Sequence, residues 1–275
     1  MLNGFEEKID ALQNDKLEGA IDTVQKLRFA NGELNPENDA VVIEFRANLI
    51  INGAFYMSIM CLPKYFAEMA VGFMFSEGLI KSFSDIKKIS NTCTGNIFVF
   101  THMPVDTSRS EKRVLISGCA SGSVNISFLN EENLDTLDKS VRINSSYIVK
   151  LMNKFSRQSP VFKETGAVHS ASLVFEDGRE IFYEDIGRHN AVDKIIGQAL
   201  IENLDIKKGV LLISGRISSE IAIKAAKLGI AVLVSQAAPT SMSIAIAQKV
   251  DMTLVGFARG HRFNLYSGDY RVLPQ

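Results

Sequence analysis

Three cysteines are the most reactive side chains in this sequence, and only Cys119 is placed where a thiol can work. It lies in Ser117-Gly118-Cys119-Ala120-Ser121-Gly122-Ser123, a run of small residues between two strand-like segments. Glycine and serine leave a thiol accessible and let a partner backbone approach closely. Nucleophilic use needs the thiolate, which nearby Lys or Arg would favour. A structural cysteine in a small-residue turn is the plain alternative. Cys61 and Cys93 fall in apolar or strand-like surroundings and read as packing residues.

A second group of candidates is the set of loops that follow apolar runs in the second half. These are Ser214-Gly215-Arg216-Ile217-Ser218, the segment Ser235–Ser241, and Phe257-Ala258-Arg259-Gly260-His261-Arg262. In an open α/β sheet, ligands bind beyond the carboxyl ends of the strands. Two of these loops run into helix starts, with Ser218 and Thr240 as N-caps, where free N–H groups favour anions. Arg216, Arg259 and Arg262 add planar donors suited to phosphate or to the edge of guanine. The loops therefore read either as a site for a phosphate-bearing, nucleotide-like ligand or as arginines satisfying carbonyls at the sheet ends. They contain no phosphate-loop lysine signature and no G-x-G-x-x-G, so an ordinary ATP or NAD site is excluded. Glu184-Asp185-Ile186-Gly187-Arg188-His189-Asn190 is dense in donors and acceptors. It reads either as a ligand contact or as a capping and packing junction.

The elements that must hold these groups follow from periodicity. Residues Met1–Lys26 are polar with weak helical spacing and read as a helix or a loosely held arm. Val41–Phe45 and Leu49–Ile51 precede Asn52-Gly53 and then Ala54–Cys61, a hairpin signal. Pro63 opens a helix over Lys64–Glu77, with Phe66, Met69, Ala70, Phe73 and Met74 at helical spacing and Gly78 as its stop. Strands are expected at Asn96–Thr101, Lys112–Ser117 and Ser123–Phe128. The polar stretch Asn130–Arg142 divides the chain into residues 1–140 and 141–275. A helix is expected near Tyr147–Arg157, then Ala171–Phe175 and Glu180–Tyr183 flank Asp177-Gly178 as a second hairpin. The helix Asn190–Leu204 leads into three buried strands alternating with two helices: Val210–Ile213, Ser218–Lys227, Ala231–Val234, Ser241–Lys249 and Met252–Val255. That alternation implies parallel strands joined by crossovers.

Composition excludes several classes. Of 275 residues, 46% are apolar and 22% charged, with a formal net charge of -1. The chain is long enough to bury a sizeable core, and no general basic surface for nucleic acid is present. The N-terminus lacks the basic and apolar regions of a secretory signal, and no apolar run approaches the roughly 18 residues that span a bilayer. Three cysteines without metal-ligand spacing suit a reducing compartment. A cytoplasmic protein without membrane attachment is expected.

Taken in order, several blocks resemble the FdhD (NarQ-like) family of formate dehydrogenase accessory sulfurtransferases. They are Phe73-Met74-Phe75-Ser76-Glu77-Gly78-Leu79-Ile80, the Cys119 loop, Thr165-Gly166-Ala167-Val168-His169, and the run from Asp185 to Lys194. Ser214–Glu220, Ala238–Ser241 and Gly256–Asn264 complete the set, which spans nearly the whole chain beyond the N-terminal arm. The resemblance implies an α/β fold: an N-terminal α+β domain carrying Cys119 over 1–140, and a cytidine-deaminase-like three-layer α/β domain with a mixed, largely parallel sheet over 141–275.

The resemblance also implies a sulfur relay. Cys119 falls at the first cysteine of the family's loop and would carry a persulfide taken from a cysteine desulfurase. The sulfur would pass to the molybdenum bis(molybdopterin guanine dinucleotide) cofactor of formate dehydrogenase. Phe257, Ala258, Arg259, Gly260, His261 and Arg262 fall on the family's cofactor-binding stretch, with Arg216 beside them, and GDP would mimic the ligand. A homodimer is implied on the same ground. This chain departs from the family's C-x-x-C at Gly122, so a two-cysteine hand-off within that loop is unavailable, and Ala167 replaces a glycine common in T-G-G-x-H. A cofactor-binding chaperone that carries no sulfur is the alternative. A zinc deaminase is disfavoured, because His169-Ser170-Ala171 lacks the glutamate of H-x-E and no C-x-x-C follows, which leaves no metal site in the protein itself.

Overall fold

The computed structural model describes residues 9–10, 19–106, 134–206 and 208–274. Cys119, its loop, and the strands expected at 112–117 and 123–128 lie outside the described residues.

The first half is organised by the Asn52-Gly53 turn. Both residues adopt positive φ, 51° and 85°, which matches the right-handed twist of the strands they join. Strand β4 (Phe45–Ile51) thereby pairs antiparallel with β5 (Ala54–Cys61). Alternate residues Ala47, Leu49 and Ile51 of β4 are buried, the period of a strand with one wet face. Strands β6 (Ile86–Asn91) and β7 (Asn96–Thr101), with the short β1 (Ile9–Asp10), complete a five-stranded sheet in the order β1-β6-β7-β4-β5. Helix α1 (Phe66–Ser76) covers it, and Gly78 at φ 73° ends the helical path.

The expected helix or arm over residues 1–26 is corrected by the structure from Ile21 onward. Residues Ile21–Ala30 form β2, which pairs over ten residues with β3 (Glu33–Val42) around an Asn31-Gly32 turn. Lys26, the last residue of the expected arm, instead faces acidic residues of β3 across the ribbon. Lys26 Nζ lies 3.2 Å from Glu37 and 2.9 Å from Asp39.

The second half forms a six-stranded sheet in the order β10-β9-β11-β12-β13-β14. Its strands are β9 (His169–Val174), β10 (Glu180–Asp185), β11 (Val210–Ile213), β12 (Val232–Ser235), β13 (Thr253–Arg259) and β14 (Arg262–Ser267). The pairings β11–β12 and β12–β13 are parallel, and β9 is antiparallel to both β10 and β11. Four strands, β10 to β13 without β9, therefore point the same way. The chain reaches the sheet through the short strand β8 (Ile143–Asn144), α2 (Ser145–Phe155) and α3 (Pro160–Thr165). The parallel connections run through α4 (Arg188–Ile201), α5 (Ser219–Leu228) and α6 (Ser241–Lys249). Right-handed crossovers in one direction place α4, α5 and α6 on one face, where each packs on the next.

Among the described residues two large apolar cores result, beside a smaller cluster of Ala20, Leu62, Val161 and Val168. One gathers Leu49, Ile59, Met69, Phe73, Ile89 and Ile97 under the first sheet. The other gathers Leu173, Leu211, Val232, Ile246 and Leu254 about the second. Helices α1 and α4 join them through glycines. A Cβ on Gly72 would stand 1.8 Å from the Asp193 carbonyl oxygen, and one on Gly197 would stand 1.8 Å from that of Glu68. Only bare backbone permits so close a crossing.

Candidate functional site

The direction of the strands decides what meets at the carboxyl edge of the second sheet. Because β10 runs parallel to β11, its end at Asp185 delivers Gly187, Arg188 and His189 to the edge where Ser214–Ser218 leaves β11. Antiparallel β9 begins at that edge with His169, which pairs with Asp185. Three helix N-termini converge there, with Gly187, Ser218 and Thr240 as the N-caps of α4, α5 and α6. Ser218 and Thr240 accept hydrogen bonds from the backbone N–H groups of Ile221 and Ser243, as their residue types require.

The loops are tied side by side by main-chain bonds. Ile217 N–H donates to the Ala238 carbonyl at 3.1 Å, and Thr240 N–H donates to that of Ile217 at 3.0 Å. Phe257 N–H reaches the Ala237 carbonyl at 3.1 Å. Ser235 Oγ donates to the Gly215 carbonyl at 2.6 Å and accepts from Ala237 N–H at 2.9 Å. The edge is therefore a rigid platform.

Phe257–Arg262, expected as a loop, is corrected in its form. Strand β13 continues to Arg259, and β14 starts at Arg262, with Arg259 and Arg262 facing each other across the Gly260-His261 turn. The signal missed was the alternation Phe263, Leu265 after the turn, which returns the chain as an edge strand. Phe257 is exposed at φ 53°, Ala258 is buried, and Arg259, Gly260, His261 and Arg262 are exposed. Arg259 Nε donates to the Gln236 carbonyl at 2.8 Å, and Asn153 Nδ2 donates to that of Gly260 at 2.9 Å. Arg216 is exposed on the neighbouring loop. The hairpin tip is thus a basic finger beside the platform, with three cationic or titratable side chains in four residues.

The Asp185–Lys194 segment divides into two roles. Asp185, Asn190 and Lys194 turn inward. Asp185 accepts from Gly187 N–H at 3.0 Å, Asn190 Nδ2 at 2.8 Å and Leu62 N–H at 3.2 Å, and pairs with Lys194 at 2.7 Å. Asn190 also donates to the Met60 carbonyl at 2.8 Å, tying the loop to the first half of the chain. Arg188 and His189 remain at the edge. His189 Nδ1 lies 3.2 Å from Glu220, and its Nε2 lies 3.3 Å from Ser218 Oγ. Burial, with Lys224, Arg188 and His169 nearby, pushes His189 down to about 3. Burial likewise lowers His169, helped by Arg188 and Arg216, against a smaller opposing pull from Asp185. Both imidazoles are neutral at physiological pH, so the edge owes its positive charge to arginine.

Of the other two cysteines, Cys61 matches the packing expectation. It is fully buried, and burial together with Asp185 pushes its thiol up to about 12. Cys93 does not. It is exposed in the turn between β6 and β7, where Thr92 and Gly95 close the bend and the strand pattern ends.

Known proteins resemble this chain along most of its length. It is 40% identical over 245 residues to the sulfur carrier protein FdhD of Wolinella succinogenes, covering 87% of this chain and 84% of that one. It is 32% identical over 262 residues to the sulfur carrier protein FdhD of Bacillus subtilis (strain 168), covering 94% and 99%. The crystal structure of a protein described as a formate dehydrogenase accessory protein, from Desulfotalea psychrophila, superposes with a TM-score of 0.77 at 25% identity, covering 92% of this chain and 100% of that one. The model of the FdhD/NarQ family matches residues 42–273, a span that takes in the second sheet, every strand of the first but β1, and every residue of the edge just described, and the chain belongs to that family.

Proposed function

We propose that this chain is a sulfur carrier serving formate dehydrogenase. Cys119 accepts sulfur from a cysteine desulfurase and passes it to a bis(molybdopterin guanine dinucleotide) cofactor docked at the carboxyl edge of the second sheet. In the loading step the Cys119 thiolate attacks the outer sulfur of the donor's persulfide. The donor's S–S bond breaks, its cysteine leaves as a thiolate, and Cys119 holds the persulfide. Release of the terminal sulfur as sulfide takes two electrons, which a thiol reductant supplies. The protein's part is to bring carrier and acceptor together and to exclude competing thiols.

The observation that carries this reading is the convergence of three helix N-termini, Arg216 and the Phe257–Arg262 hairpin on one edge, in a chain whose relatives are sulfur carriers. Such an edge suits the pyrophosphate and base of a guanine nucleotide. Intact mass measured after incubation with a desulfurase and cysteine tests the carrier step. The gain of one sulfur atom, lost in Cys119→Ala, is expected. The same loss of mass gain with formate dehydrogenase activation preserved would instead assign the chain as a cofactor-binding chaperone, the reading that Gly122 favours by removing a second cysteine from the loop.

A further inference from the structure

The geometry points to a second ligand site on this chain, a cleft at the amino edge of the second sheet that takes a small monocarboxylate with an apolar body. It does not rest on the reading of the carboxyl edge. Strand β9 runs from His169 at that edge to Val174 in the cleft, so the two places lie about 17 Å apart at a strand rise of about 3.4 Å per residue.

The cleft holds about 360 Å³, within the range of small-ligand sites. Val174, Phe175 and Val210 form its floor, and Val141 and Ile143 one wall. Each of these five keeps 5–8% exposure, whereas the adjoining Leu173 and Leu211 have none. The wall is held in place. Fully buried Arg271 donates from Nε and Nη2 to the Asp138 carbonyl, at 3.1 and 2.7 Å. Strand β15 (Val272–Leu273) pairs with β8, and Leu137 N–H donates to the Val250 carbonyl at 2.9 Å. A ligand therefore meets a preformed surface and has little to order.

Arg142 decides the ligand's chemistry. Its Nη1 donates to the Lys139 and Val141 carbonyls, which uses both hydrogens of that nitrogen and sets the plane of the guanidinium. Among the described residues, Nε and Nη2 have no hydrogen-bond partner and Arg142 makes no ion pair. Nε–H and one Nη2–H form a fork of parallel donors, the match to the two oxygens of a carboxylate. The other cation of the cleft, Lys208, is held by Glu176 at 2.9 Å. One uncommitted positive charge remains, which suits a monoanion better than a phosphate dianion. Two neutral groups stand beside it. Asn144 is the N-cap residue of α2 yet makes no cap hydrogen bond, although asparagine is among the residues best suited to one. The Tyr147 hydroxyl likewise has no partner among the described residues.

Benzoate, benzamide and acetate titrated into the full chain test the site, followed by ligand-observed NMR on wild type, Arg142→Gln, Arg142→Lys and Arg216→Gln. Arg142 and Arg216 are both exposed, so no substitution touches the core. Saturable benzoate binding in the millimolar range is expected for so small a ligand. Arg142→Gln should weaken it about tenfold, Arg142→Lys should recover part of that loss, and Arg216→Gln should leave it unchanged. Benzamide keeps the body without the charge, and acetate the charge without the body, so each should bind about tenfold more weakly than benzoate. Absence of saturable benzoate binding overturns the site. Benzoate affinity unchanged in Arg142→Gln, or lost in Arg216→Gln, places the anion elsewhere and overturns it as well. Benzamide or acetate binding as tightly as benzoate overturns the ligand class.

Discussion

Asp185 and Lys194 form an ion pair at 2.7 Å with both side chains fully buried, and that pair pins the site loop to the first half of the chain. Asp185 also accepts from Leu62 N–H and Gly187 N–H, so one carboxylate joins β5's exit, the turn before Arg188, and α4. Removing one partner leaves the other charge buried without compensation. Lys194→Met is expected to cost about 3–5 kcal/mol, read as a shift of the denaturant midpoint. Because burial of the pair already carries a desolvation cost, the double replacement Asp185→Leu/Lys194→Met should cost less than the sum of the singles. Additive losses would show that the pair does not act as a unit.

The α1–α4 crossing predicts a steric effect. Gly72→Ala and Gly197→Ala each place a methyl against a backbone carbonyl that cannot rotate away. Overpacking of this kind costs about 1–3 kcal/mol, and here the upper end is expected. Gly229→Ala meets no neighbouring atom but sits at φ 88°, so its smaller loss separates backbone strain from helix separation. Thermal unfolding of the three variants gives the ranking.

Acid stability depends on the edge histidines. His189 falls to about 3 in the folded chain, far below the ordinary histidine value, so the unfolded state binds more protons in between. Its contribution is complete above the unfolded value near 6.5 and is lost progressively as the pH falls toward 3. The slope is at most about 1.4 kcal/mol per pH unit for one group, and His169, lowered for a similar reason, adds in the same direction. His189→Gln should flatten the dependence of stability on pH between about 6.5 and 3 relative to wild type. An unchanged slope in urea titrations over that range would contradict a neutral, half-buried His189.

Thiol chemistry separates the two described cysteines. Cys61, pushed up to about 12 by burial, should resist iodoacetamide at pH 8 in the native protein, whereas exposed Cys93 should be alkylated. Peptide mass mapping distinguishes them. Cys93→Ser should leave sulfur loading at Cys119 intact, which separates incidental thiol reactivity from the relay.

Much of this architecture is legible in the residues themselves, because the signals are local. Asn52-Gly53 demands positive φ, so the β4–β5 hairpin follows from two residues. The apolar runs Val210–Ile213 and Ala231–Val234, and the helix over Ser241–Lys249 with Thr240 before it, carry their own period and cap. The exposed positions of Arg216, Arg259 and Arg262 at the carboxyl edge follow from the apolar runs that precede them. What sequence spacing does not carry is strand direction and nonlocal pairing. The ribbon over Ile21–Val42 needed ten cross-strand pairs to turn a polar, helix-like run into β structure. The parallel course of β10 to β11 is a tertiary fact, and it brings Arg188 beside Gly215 and His189 beside Ser218. Burial belongs to the same class. Whether Asp185 faces a ligand or the core is decided by what packs over it, and here Lys194, Asn190 and the Leu62 amide turn it inward.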